Sequence, residues 1–155
     1  MPDRTNPDKI DDLRQRTRKG STGVKRIFTI RGIDMVKITI DEKEYNAEDG
    51  MTVLQVARTN GLRIPTLCYH PSLKPSGSCR LCAVEVAGRS SGKQSTMLSC
   101  ILKAKDGMVV NTQTEVVKRV RTRAFTNLMQ MAPQSKTIVA LARSYGIDPG
   151  PPPDG

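Results

Sequence analysis

Apolar and polar residues alternate along Met35–Ile40, where Lys37 and Thr39 separate aliphatic side chains. A period of two predicts a half-buried strand. After a short polar turn, Glu44–Ala47 is predicted to return as the second strand of a hairpin. Two further short strands are predicted, at Ala83–Val86 and Met108–Val110. The chain is therefore expected to contain a small sheet.

Helical periodicity appears in three other segments. Thr52–Gln55 has the sequence of a capping box and begins a short helix, for which Gly61 is the expected end. Thr112–Glu115 also reads as a capping box, and Pro133 ends the helix that follows it. The apolar stripe of this second helix comprises Val116, Val117, Val120, Phe125, Leu128 and Met129. A final helix is predicted from Ser135 to Gly146.

These elements divide the chain into three parts. Residues 1–32 are predicted to be a basic extension, in which Ile10 and Leu13 form one weak amphipathic turn. Residues 33–111 form the domain, and residues 112–155 form a helical extension with a proline-rich tail. No apolar run approaches the roughly 18 residues of a membrane span, and no signal-type stretch is visible at the N-terminus. The cytoplasm is therefore the expected location.

The net charge of +10 raises the question of nucleic-acid binding. Residues 1–31 carry nine Lys or Arg and four Asp or Glu, and a second basic run contains Lys118, Arg119, Arg121 and Arg123. Neither run is interleaved with aromatic residues, which single-strand binders use for stacking. A solvated basic arm, and a helix face that docks on an acidic partner, are favoured over nucleic acid.

The chemistry of the chain is concentrated in its four cysteines, Cys68, Cys79, Cys82 and Cys100. They follow the pattern C-x10-C-x2-C-x17-C within 33 residues. In a reducing compartment, clustered cysteines favour metal binding over disulfides. Four thiolates suit either a 2Fe–2S cluster or a structural zinc ion. Zinc sites of this kind usually have two short C-x2–4-C pairs, and only one is present, so the spacing favours iron–sulfur and leaves zinc open.

The segment Ile64–Gly88 resembles the 2Fe–2S domain at the N-terminus of the large iron–sulfur subunit of respiratory complex I. Related modules occur in NAD-linked formate dehydrogenases, hydrogenase diaphorase subunits and electron-bifurcating complexes. The similarity extends over about residues 35–130. It implies an α+β, β-grasp ferredoxin-like fold with a C-terminal helical extension, and one 2Fe–2S cluster bound by Cys68, Cys79, Cys82 and Cys100.

The chain departs from that family beyond Cys100. Longer members continue with a histidine and a cysteine that begin a 4Fe–4S site. Ala132 and Lys136 stand at the matching positions here, and no cysteine follows Cys100. The second cluster is therefore excluded. The apolar residues of the last helix, Ile138, Val139 and Leu141, are expected to dock against a larger redox subunit.

Single residues near the cysteines have two interpretations each. The only histidine, His70, could titrate beside the cluster, but structural capping of the loop is favoured because it has no paired acid or base. Arg80 could raise the potential of the cluster electrostatically or form an ion pair with a partner's carboxylate. Its side chain could equally be solvated. Gly77 suits a loop whose backbone approaches inorganic sulfide closely.

The resulting functional hypothesis is a non-catalytic electron-transfer subunit. Its partners would be larger redox subunits that carry flavin, NAD or further iron–sulfur clusters, and it would have no small-molecule substrate of its own. The alternative is a zinc-stabilised basic adaptor that binds nucleic acid.

Overall fold

A computed structural model describes residues 28–30, 33–87 and 94–148. These residues form a mixed sheet of six strands and three helices. The strands are β1 Phe28–Ile30, β2 Ile33–Ile40, β3 Lys43–Glu48, β4 Ala83–Ala87, β5 Gln94–Leu98 and β6 Met108–Asn111. The helices are α1 Val53–Thr59, α2 Glu115–Met131 and α3 Lys136–Ser144. The α+β class and the C-terminal helical part are thus as predicted. No described helix is long and apolar enough to cross a membrane.

Strand β2 organises the sheet. It pairs antiparallel with β3 along Met35–Ile40, antiparallel with β1 along Ile33–Met35, and parallel with β6 along Ile38–Ile40. Strand β4 pairs antiparallel with β6 and with the edge strand β5. Among the described residues the sheet therefore begins at Phe28, ahead of the predicted domain start at residue 33. The predicted turn at Ile10 and Leu13 lies outside the described residues.

The β2–β3 hairpin closes with a tight turn at Asp41 and Glu42, which both have positive φ angles, of 46° and 68°. The Asp41 carboxylate accepts hydrogen bonds from the backbone N–H of Thr112, at 2.7 Å, and from the Thr112 hydroxyl. Thr112 is therefore not the helix cap that the sequence suggested. The N-cap of helix α2 lies two residues later, at Thr114, whose side chain accepts a hydrogen bond from the Val117 N–H.

Two hydrophobic clusters of buried residues support the fold. We call the first the sheet core: its fully buried members include Ile38, Ile40, Val53, Leu54, Val56, Val84 and Val110, and it also contains Cys82 and Cys100. Helix α1 contributes to it behind the capping box that Thr52 and Gln55 form. We call the second the helix core: it comprises Cys79, Leu81, Ala124, Phe125, Met129, Ile138, Ala142 and Ile147. The cysteine segment thus contributes to both clusters.

The helix core corrects one expectation about α3. Ile138 is only 7% exposed and belongs to the same cluster as Cys79 and Phe125, while Val139 and Leu141 are partly buried against it. Ile138 therefore packs within the chain and not on another subunit, as had been predicted for it. For the half-buried Val139 and Leu141, docking on another subunit stays a prediction. Burial of the apolar face of α3 against its own domain is favourable without any partner.

Strand β5, like β1, is not among the strands predicted from the sequence. Residues 94–97 are all exposed and Leu98 is half-buried. An edge strand with such exposure shows no alternation of apolar and polar residues, so its sequence carries no strand signal. Its pairing with β4 places Leu98 opposite Ala83, and it delivers the chain to Cys100.

Candidate metal centre

The four cysteines come from three places in the fold. Cys68 lies in an irregular segment after α1, Cys79 and Cys82 lie in the loop that leads into β4, and Cys100 follows β5. Cys68 is half-buried, whereas the other three are buried. None of the four forms a disulfide. The fold therefore brings together all four predicted site residues as free thiols.

The sulfur atoms are arranged as two close pairs. The Sγ atoms of Cys68 and Cys79 lie 3.3 Å apart, and those of Cys82 and Cys100 lie 3.2 Å apart. A metal–thiolate bond is about 2.3 Å long for zinc, so the two sulfurs of either pair can reach one metal ion. Within the described part of the chain, no three His, Cys, Asp or Glu side chains are grouped around a single metal position.

The two pairs rest on different hydrophobic clusters. Cys82 and Cys100 belong to the sheet core, whereas Cys79 belongs to the helix core and Cys68 packs against it. Although Cys79 and Cys82 lie only three positions apart in the C-x2-C motif, Cys79 packs in the helix core and Cys82 in the sheet core. The centre therefore lies at the junction between the sheet and the C-terminal helices.

Ser99 holds the pair formed by Cys82 and Cys100 in place. Its hydroxyl donates to the Cys82 carbonyl at 2.8 Å, and its backbone N–H donates to the same oxygen at 3.0 Å. Its own carbonyl accepts from the Leu54 N–H at 3.0 Å, which anchors the segment to α1. Ser99 is fully buried. Because Ser99 directly precedes Cys100, these bonds fix Cys100 relative to Cys82.

The loop between Cys68 and Cys82 depends on unusual backbone conformations. Arg80, between two of the cysteines, has a φ of 55°, and Gly77 has a φ of 67°. Left-handed turns direct successive N–H groups into a concavity that favours anions, as in many iron–sulfur sites. A Cβ at Gly77 would lie 2.7 Å from Ile101 Cδ1, so the close neighbour of this glycine is a side chain of the protein.

The thiols differ in their electrostatics. Burial raises the pKa of the Cys100 thiol to about 12, and the hydrogen bond and charge of Cys82 add to this effect. Burial would also raise the pKa of Cys68, but hydrogen bonds from Cys79, Ser76 and Ser78 outweigh it and lower that pKa. Buried thiolates repel one another, so a cationic centre that binds all four relieves an unfavourable charge arrangement.

The two single residues flagged near the centre are both exposed. His70 accepts a hydrogen bond from the Ser72 N–H through Nδ1, at 3.2 Å, which fits the loop-capping interpretation. The exposed position of Arg80 leaves both of its interpretations open, since no described contact selects between them.

Arg121 is the residue near the centre for which the sequence-based prediction is wrong. The charge pattern places it on a basic helix face that is expected to dock on an acidic partner, but it is only 4% exposed. Its Nη2 donates to the carbonyl oxygen of Ala83, at 2.8 Å, and Ala83 follows Cys82 directly. The spacing contained the signal: Arg121 lies four residues from both Val117 and Phe125, which are buried on the same face of α2.

The donor set fits an iron–sulfur cluster. Four free thiols come as two pairs, and Gly77 and Arg80 in the same loop have positive φ angles. A 2Fe–2S cluster takes four cysteine ligands, and two close pairs give each of its irons two thiolates. The residues that would hold it are Cys68 and Cys79 on one side and Cys82 and Cys100 on the other.

Comparisons with known proteins point to the same chemistry. Residues 34–115 match the family described as "2Fe-2S iron-sulfur cluster binding domain". The chain is 39% identical over 99 residues to a subunit of the NADH-quinone oxidoreductase of Rhizobium meliloti, a match that covers 64% of this chain and 11% of that protein. It is 40% identical over 87 residues to the alpha subunit of the NADPH-Fe(3+) oxidoreductase of Geobacter sulfurreducens, a match that covers 56% of this chain and 10% of that protein.

A solved structure with the same fold is an NAD+-reducing [NiFe]-hydrogenase in the H2-reduced state. The TM-score is 0.60 at 33% identity, and the match covers 77% of this chain and 55% of that one. The chain spans only about a tenth of the length of the two curated relatives. These similarities confirm the predicted β-grasp ferredoxin-like fold.

Proposed function

Because the chain belongs to the 2Fe-2S iron-sulfur cluster binding domain family, we propose that it is a non-catalytic electron-transfer subunit with one 2Fe–2S cluster. The proposed ligands are Cys68, Cys79, Cys82 and Cys100. The observation that carries this proposal is the arrangement of their sulfurs in two pairs, 3.3 Å and 3.2 Å apart. Such an arrangement serves a centre with two metal ions, each bound by one pair.

When bound, such a cluster accepts and releases one electron at a time. The protein's own residues position it and control its surroundings. Ser99 fixes the second pair of ligands, and the sheet and helix cores bury three of the four thiols. Hydrogen bonds, net charge and solvent exposure set the potential of an iron–sulfur centre. These residues therefore hold and tune the centre and need no substrate pocket.

The partners we propose are larger redox subunits that carry flavin, NAD or further clusters. Support comes from the relatives, which are named as subunits of NADH- and NADPH-linked oxidoreductases. On this chain, Leu67 and Ile101 adjoin ligands Cys68 and Cys100 and are 47% and 51% exposed. Exposed apolar side chains beside a redox centre are suited to contact with another subunit.

The proposal predicts one-electron redox behaviour. Protein purified without oxygen should be reduced by dithionite with the uptake of one electron per chain, and its visible absorption should bleach in a one-electron redox titration. The reduced protein should show the paramagnetic resonance signal of a single unpaired spin. Protein that contains metal but takes up no electron would contradict an electron-transfer role. A two-electron titration would do so as well.

A further inference from the structure

A buried positive charge lies beside the proposed cluster. Arg121 on α2 is 4% exposed, and its Nη2 donates to the Ala83 carbonyl at 2.8 Å, one residue beyond the ligand Cys82. Its Nε is buried and has no hydrogen-bond partner among the described residues. A buried polar atom without a partner costs free energy, so a purely structural link between α2 and β4 would be served better by a neutral side chain.

The guanidinium of Arg121 stays positively charged although it is buried. Burial lowers the pKa of its guanidinium, while Tyr145, Cys82 and Asp41 act in the opposite direction and favour the charged form. Arginine stays protonated in proteins because its ordinary pKa exceeds about 12. A charge in a low-dielectric interior acts over longer distances and is screened by salt much less than an exposed one.

We propose that Arg121 is a tuning residue whose buried positive charge raises the reduction potential of the cluster on Cys68, Cys79, Cys82 and Cys100. This inference rests on the proposed function, since it concerns the centre assigned there. Reduction adds one negative charge to the cluster. A nearby positive charge stabilises the reduced form more than the oxidised form, and the potential rises.

The test compares the cluster potential of Arg121 variants. Arg121→Gln and Arg121→Met remove the charge, whereas Arg121→Lys retains it. At a fixed ambient potential near the wild-type midpoint, we expect the ratio of reduced to oxidised cluster to fall about tenfold in both neutral variants. This corresponds to a shift of about 59 mV for a one-electron couple. Arg121→Lys should stay close to the wild type.

Arg123→Gln is the matched control. It removes the same charge from the same helix, but Arg123 is exposed. Its effect should be small and should disappear in about 1 M salt, where the screening length is about 3 Å. The shift in the Arg121 variants should persist there. Their potentials are read from the resonance signal in a redox titration.

Two results would overturn the proposal. One is that the neutral Arg121 variants hold a full cluster at the wild-type potential. The other is that both neutral variants lose the cluster while Arg121→Lys retains it with a shifted potential, which would make Arg121 a structural link only. Failure of the wild type itself to bind a cluster would instead refute the proposed function, so the two failures are distinguishable.

Discussion

We expect Cys82→Ser to abolish cluster binding, and Cys79→Ser to do the same. Each substitution removes one thiolate from a sulfur pair and leaves an iron with a single cysteine ligand. Loss of partners in the outer shell of a metal site already costs about 10–100-fold in affinity, and loss of a ligand costs more. Iron content and visible absorption should fall to near zero in both variants, measured after purification without oxygen.

A matched control lies in the same loop. Lys74→Ser introduces the same residue at an exposed position between Cys68 and Cys79. This variant should retain the iron and the absorption of the wild type. If Cys79→Ser and Cys82→Ser also retained both, the ligand assignment would be wrong.

The second large effect concerns the C-terminal helices. We expect deletion of residues 112–155 to destroy the centre, because Cys79 and Leu81 are buried against Phe125 and Ile138. Burial of Phe125, Met129 and Ile138 contributes on the order of 5–10 kcal/mol, which is comparable to the whole stability of a typical domain, about 5–15 kcal/mol. Iron content and the unfolding transition of the truncated protein are the measurements.

Deletion of residues 149–155 is the control, since it leaves every described residue of the helix core in place. It should leave the iron content unchanged. A finer variant is Phe125→Ala, which should lower the free energy of unfolding by about 3–5 kcal/mol. Its control is Met131→Ala, at a position that is 83% exposed. A truncated protein that folds with a full cluster would show that the helices act elsewhere, as docking elements for another subunit.

The sequence predicted the elements whose local signals agree with their tertiary surroundings. The alternation in β2, the capping box at Thr52 and the cap at Ser135 were all confirmed. The cap of α2 was misplaced because Thr112 and Thr114 are both good N-caps. The choice between them was made by Asp41, which is distant in sequence and binds Thr112. Local pattern alone contains no information about that contact.

The candidate site, like the fold, could be predicted from the sequence only in part. The spacing of the cysteines and the resemblance to a known family predicted Cys68, Cys79, Cys82 and Cys100 as ligands, an assignment that stays a prediction. Neither could show that the sulfurs form two pairs on two different hydrophobic clusters. The assignment of Arg121 to a helix face that docks on an acidic partner failed because its charge was given more weight than its position in the helix. Its spacing from Val117 and Phe125 indicated burial, and β4 supplies the carbonyl that makes this burial tolerable.

The central claim is that this chain holds one 2Fe–2S cluster on four cysteines. The most direct test is to purify the full-length wild-type protein without oxygen and to measure iron, acid-labile sulfide and zinc per chain. We expect red-brown protein with two irons, two sulfides and no stoichiometric zinc. Colourless protein with one zinc per chain and no sulfide would contradict it, and would favour the zinc-stabilised adaptor instead.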